Sequence, residues 1–242
     1  MNIEICANSF QSAINAQLGA ADRIELCTNL EAGGTTPDAA TIQLATQTLH
    51  QAINGKKTEV FVLIRPRAGN FCYNPLELGL MRRNILFCKG CNVDGIVVGV
   101  LDKDGKVDLE ACVNLVRIAY PMKLTFHRAF DRIENKSEAL EQIIDLGFER
   151  ILSSGGATTA WEGKNVIAQL IEIANGRISI MPGAGVNSEN VKAIIDFTGA
   201  EEIHLSAKKV VAPSGKSTAL FETPYWVTDV EEVRRVVAAV GK

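Results

Sequence analysis

The run Leu124-Thr125-Phe126-His127-Arg128-Ala129-Phe130-Asp131 decides how this chain is read. Leu124, Thr125 and Phe126 have the apolar, β-branched and aromatic character of a buried strand. The run then turns at once into an imidazole, a guanidinium and, three residues on, a carboxylate. Parallel sheets and barrels carry their reacting groups at such C-terminal strand ends. A structural reading competes with the chemical one, in which His127 and Arg128 are a paired couple capping the strand. The remainder of the chain has to separate the two.

Seven more runs of the same kind flank this one, so that strands are expected at 3–6, 23–27, 60–65, 95–100, 123–127, 150–153, 178–181 and 203–206. Most are continuously apolar, as parallel strands covered on both faces should be. Segments of helical period lie between them, at 10–18, 39–53, 75–91, 109–119, 137–146, 160–174, 188–197 and 230–240. Asn74-Pro75 reads as an N-cap with proline at the first helical position, and Gly147 as a helix terminator. Strand and helix alternating throughout predict a single (β/α)8 TIM barrel, one domain over residues 1–242. A weak echo supports it: 18–24, 91–96, 146–151 and 198–203 each close a helix and open a strand with an acid at Asp22, Asp94, Glu149 or Glu201. These turns belong to the N-terminal face and are assigned to stability. The Pro/Ser/Gly-rich segment 211–223 is expected to be mobile or to cover the barrel mouth.

A net charge of −3 leaves no basic field for nucleic acid, and the apolar runs fall short of the ~18 residues of a membrane helix. The first residues lack the basic and apolar regions of a signal peptide, so the expected location is the cytoplasm, with no membrane partner. Six cysteines in a chain of 242 residues are then free thiols by default.

Under a barrel, chemistry gathers at the strand ends. Glu4 and Cys6 lie on the first strand and Glu25 and Cys27 on the second. The third ends in Arg65-Pro66-Arg67, and the sixth in Ser153-Ser154-Gly155-Gly156. The seventh ends in Pro182-Gly183-Ala184-Gly185, and the eighth carries His204 and Ser206. Glycine-rich ends let backbone amides approach an anion, although they also serve as plain tight turns. Arg65, Arg67 and Arg128 are able to clamp a carboxylate or phosphate in bidentate fashion. Glu4, Glu25 and His127 form an acid–base set, or else pair with the arginines inside the barrel. Cys6 and Cys27 end neighbouring strands ~4.8 Å apart and are two thiolates for a soft ion such as Cu(I), or two small buried residues. Cys88-Lys89-Gly90-Cys91 has C-x-x-C spacing without a second pair and is weak as a zinc site.

Taken together these residues resemble the CutC family of copper-homeostasis proteins. The resemblance rests on 21–27, 31–37, 64–67, 95–101, 125–131, 150–156 and 180–187, in that order along the chain. It implies a cytoplasmic barrel, a homo-oligomer (dimer or tetramer), with Cys6 and Cys27 as Cu(I) thiolates and Arg23, Glu25, Arg65, Arg67, His127, Arg128 and Asp131 at the mouth. Ala184 departs from the family, which usually has a third consecutive glycine there, and His204-Leu205-Ser206 replaces a more usual His-Ser-Ser. The reading adopted is Cu(I) binding with a role in copper tolerance. The alternative is an enzyme acting on a small anionic or phosphorylated metabolite. Its catalytic groups would be Glu25, His127, Arg128 and Asp131, and its anion site Arg23, Arg65, Arg67, Ser154, Gly155, Gly156, Gly183 and Gly185.

Overall fold

Helix starts follow from short polar side chains that accept the first free amides of each helix. Asp38 caps Ala39–Leu49 through the Thr41 amide, and Asp108 caps Leu109–Ala119 through the Ala111 amide. Asn74 and Glu77 form a reciprocal capping box at the start of Pro75–Gly90, with proline at the first helical position as expected. In the computed structural model, which describes residues 1–53, 55–212 and 224–241, these helices alternate with strands along the chain.

The strands β1 (Asn2–Ala7), β2 (Arg23–Leu26), β3 (Glu59–Leu63), β4 (Gly95–Val98), β5 (Lys123–Phe126), β6 (Arg150–Ser153), β7 (Ser179–Pro182) and β8 (Glu202–Leu205) form one sheet. Their order, β7-β6-β5-β4-β3-β2-β1-β8, is that of a parallel (β/α)8 barrel. β7 and β8 lie against each other without a hydrogen-bonded ladder, and this seam completes the circuit. Around it stand α1 (Phe10–Leu18), α2 (Ala39–Leu49), α3 (Pro75–Gly90), α4 (Leu109–Ala119), α5 (Lys136–Asp145), α6 (Lys164–Ala174), α7 (Val191–Thr198) and α8 (Val230–Ala239). The sequence also contains a feature its periodicity did not announce, an antiparallel hairpin of β9 (Lys208–Val211) and β10 (Tyr225–Thr228) after β8. Beyond Ala212, the segment expected to cover the mouth lies outside the described residues.

The repeated turns do the structural work assigned to them. Ala20, Asn92, Gly147 and Gly199 take φ values of 68°, 57°, 85° and 73°, which reverse the chain between helix and strand. Asp22 then accepts the Ile3 amide and Asp94 the Val60 amide, both at 2.8 Å, pinning neighbouring strands at the closed end.

The expectation of continuously apolar strands needs correction. On β1, β2 and β8, Ile3, Ile5, Ile24, Leu26, Ile203 and Leu205 face the helices, where the main apolar core lies. The alternate residues face the barrel axis and are polar: Glu4, Arg23, Glu25, Glu202 and His204, all buried. Arg23 donates to Glu4 at 2.5 Å and to Glu202 at 3.2 Å, and Arg150 donates to Glu202 at 2.8 Å. Phe61 is held between the two guanidinium groups, 4.8 Å from Arg23 and 5.0 Å from Arg150.

Substituting Arg23→Leu leaves Glu4 and Glu202 without their shared cation. The expected loss is ~3–5 kcal/mol, read as a lower urea midpoint, because an unpaired buried charge is far costlier than a missing exposed pair. A change below ~1 kcal/mol would deny the network its structural role.

Candidate functional site

A cavity of about 720 Å³ opens at the C-terminal end of the barrel. Its floor is made by side chains from neighbouring strands β8, β1 and β2. The Cys6 and Cys27 sulfurs stand 3.6 Å apart, both buried. His204 reaches the same point from β8, because β8 pairs with β1 in a register that sets His204 opposite Glu4. Its Nδ1 meets Glu4 Oε1 at 2.7 Å, and its Nε2 lies 3.7 Å from Glu25 Oε2. One ligand atom each from Cys6, Glu25 and His204 falls within 4.8 Å of the others.

Burial would by itself protonate Glu4, yet the Arg23 charge and the His204 hydrogen bond hold it down at about 2. Burial works against a charged His204. Hydrogen bonds to Cys6 and Glu4 and the charges of Glu4 and Glu25 outweigh it and carry the imidazole well above its ordinary 6.5. Burial pushes Glu25 up to about 7 despite the opposing His204 charge. The Cys6 thiol is raised well above the usual thiol range by its hydrogen bond with Cys27 and then by burial.

The walls settle the remaining sequence-derived residues. His127 and Arg128 line the cavity with Leu63, Phe71 and Leu152. His127 Nδ1 accepts the Ala129 amide at 3.2 Å, and burial followed by the Arg65 charge lowers its pKa to about 3, so the ring is neutral. Arg128 donates to Asp131 at 2.8 Å and to the Ser154 hydroxyl at 2.9 Å, so it pairs with Asp131 and not with His127. Asp131 is not a free acid or base: it accepts the amides of Ser154 and Gly156 at 3.1 Å and the Ser153 hydroxyl at 2.6 Å. The turn at Ser154, Gly155 and Gly156 expected to hold an external anion is thus already filled by an internal carboxylate. Gly155 is needed for close approach, since a Cβ there would lie 2.4 Å from the Gly163 carbonyl oxygen.

Arg23 and Arg67 leave the anion set, whereas Arg65 lines the cavity and its buried Nε has no partner among the described residues. Arg23, expected at the mouth, sits at the opposite end of the barrel in the ion network, because it opens β2 and does not end it. Arg65 donates to the Ala32, Gly33, Gly34 and Gly69 carbonyls and fastens the loops after β2 and β3. Arg67 is spent on Glu77 at 2.5 Å and on the Ala68, Asn70 and Cys72 carbonyls. Gly183 gives its amide to the Ser153 carbonyl, and a Cβ on it would strike Leu152 at 2.5 Å. Gly185 lines the cavity. Among the described residues, Cys88 and Cys91 join no metal-type cluster. His204 is the residue that sequence reasoning underused, and the signal for it was its shared parity with Glu202 on an otherwise apolar strand.

Two outcomes follow for the walls. His127 is held at about 3, so below its ordinary 6.5 the unfolded chain takes up a proton that the folded chain refuses, and stability is lost as pH falls from 6.5 toward 3. His127→Phe should lose less stability than the native chain across that window in urea titrations at stepped pH, whereas parallel profiles would mean an ordinary imidazole. Ala184 has φ 85°, which favours glycine, so Ala184→Gly should raise stability by ~1 kcal/mol, checked by thermal unfolding.

The relatives of this chain agree with the geometry. The model of the CutC family matches residues 1–209. A human protein named copper homeostasis protein cutC homolog is 41% identical over 98% of this chain and 88% of its own length. A CutC family protein of Parabacteroides distasonis is 41% identical over 97% of this chain and 98% of its own. A crystal structure of CutC from Streptococcus agalactiae superposes with a TM-score of 0.80 at 38% identity, covering 85% of this chain and 98% of that one. Similarity over nearly the whole barrel, including the strands that carry Cys6, Glu25, Cys27 and His204, makes this chain a member of the CutC family.

Proposed function

We propose that this protein binds Cu(I) at the floor of the barrel and serves copper homeostasis in the cytoplasm. The observation that carries the reading is the pair of thiols 3.6 Å apart at the base of an open cavity. Paired soft sulfur donors select Cu(I) over harder ions. The imidazole of His204, on releasing its proton, would be a third donor beside Cys6, oriented from behind by Glu4 in the carboxylate–histidine arrangement common behind metal ligands. Glu25 supplies negative charge beside them. The name shared by the human relative accords with such a role.

Because the Cys6 thiol is shifted upward, Cu(I) must displace protons on entering, and affinity should rise with pH. Competition titrations of the reduced protein against a chromophoric Cu(I) chelator test the assignment. Cys6→Ser combined with Cys27→Ser is expected to lose affinity by on the order of 100-fold or more, with His204→Ala losing less. Unchanged affinity in the double variant, or tighter binding of Zn(II) than of Cu(I), would remove this reading.

A further inference from the structure

We propose that the cavity above the thiols is a binding site for a small oxyanion-bearing metabolite. Its carbonyl or hydroxyl oxygen is received by His127, and its carboxylate or phosphate by the backbone amides at Ala184–Val186. A volume of about 720 Å³ far exceeds what one ion occupies and lies in the range of small-molecule sites, ~300–1,000 Å³.

Two observations give the ligand its chemistry. His127 lines the cavity, and its Nδ1 accepts a backbone amide, so the neutral ring carries its proton on Nε2. That Nε2 is buried and meets no acceptor among the described residues, and the same holds for the Nε of Arg65, which lines the same cavity. An orphaned buried donor is rare and asks for an acceptor oxygen.

The second observation is a pair of matching turns. After β6, Gly155 and Gly156 have φ values of 71° and 80°, and after β7, Ala184 and Gly185 have 85° and 70°. In the first turn the Gly156 amide binds a carboxylate, that of Asp131. In the second, the amides of Ala184, Gly185 and Val186 meet no protein acceptor among the described residues, and all three residues line the cavity. A turn with the same pair of positive φ values as the one that holds an internal carboxylate thus lies at the cavity without one. Arg128 lines the same cavity with its charge paired to Asp131.

The test uses reduced, metal-free protein with inorganic phosphate, pyruvate and phosphoenolpyruvate as probes, followed by ligand-observed NMR and thermal shift at millimolar concentration. Saturable binding of at least one probe is expected, with phosphate alone marking the turn and pyruvate alone marking a carboxylate ligand. For an organic probe, His127→Phe should weaken binding about tenfold and His127→Gln, which keeps a donor, less so. For inorganic phosphate, the loss should appear in Gly185→Ala, whose strained φ disturbs the turn. No saturable binding by any probe would overturn the proposal. So would native affinity in both His127→Phe and Gly185→Ala.

Discussion

Everything at the floor of this barrel hangs on one buried cation. Arg23 draws Glu4 and Glu202 together across the barrel axis, and Arg150 binds Glu202 from the other side. Each carboxylate would be expensive to bury alone, and each guanidinium likewise. Together they form a neutralised plug in which Phe61 fills the remaining space. Glu4 is then ionised and fixed, and its second oxygen is free to hold His204. The imidazole in turn stands beside Cys6 and Glu25. Position and charge pass upward from the closed end to the reactive floor through three side chains.

The cavity above that floor exists because bulk is withheld and loops are tied back. A Cβ at Gly99 would meet the His127 ring at 2.6 Å, so the smallest residue leaves room for the imidazole. Arg65, whose two terminal nitrogens donate to carbonyls of two loops while its Nε is left unpartnered among the described residues, keeps those loops from collapsing over the thiols. The same guanidinium helps to keep His127 neutral. Arg65 is therefore a wall fastener with an electrostatic side effect, and its Nε is left unpartnered beside the cavity.

The proposed copper site and the proposed small-molecule site would draw on different atoms of one cavity. The soft donors are at the base on β1, β2 and β8, whereas the unpaired hydrogen-bond donors come from β5 and the turn after β7. A barrel separates such sets naturally, since each strand contributes one residue per layer to the interior.

Local chemistry written in the sequence determined the order of strands and helices, the capped helix starts and the N-terminal-face turns. It also placed Cys6 and Cys27 at the ends of adjacent parallel strands, and they meet although the register sets Cys6 opposite Glu25 and Cys27 two residues further on. Helix ends were less legible: α6 begins at Lys164 and not at 160, since Gly163 is packed against Ser154 and Gly155. Only the closed barrel decided that His204 joins residues some two hundred positions earlier. Only tertiary structure decided that Asp131 fills the turn after β6, that the terminal nitrogens of Arg65 go to loop carbonyls, that Arg67 is spent on Glu77 and carbonyls, and that Arg23 lies at the far end. The physical reason is that periodicity reports which face a residue takes, whereas the partner of a buried charge is set by register and closure, which belong to no single segment.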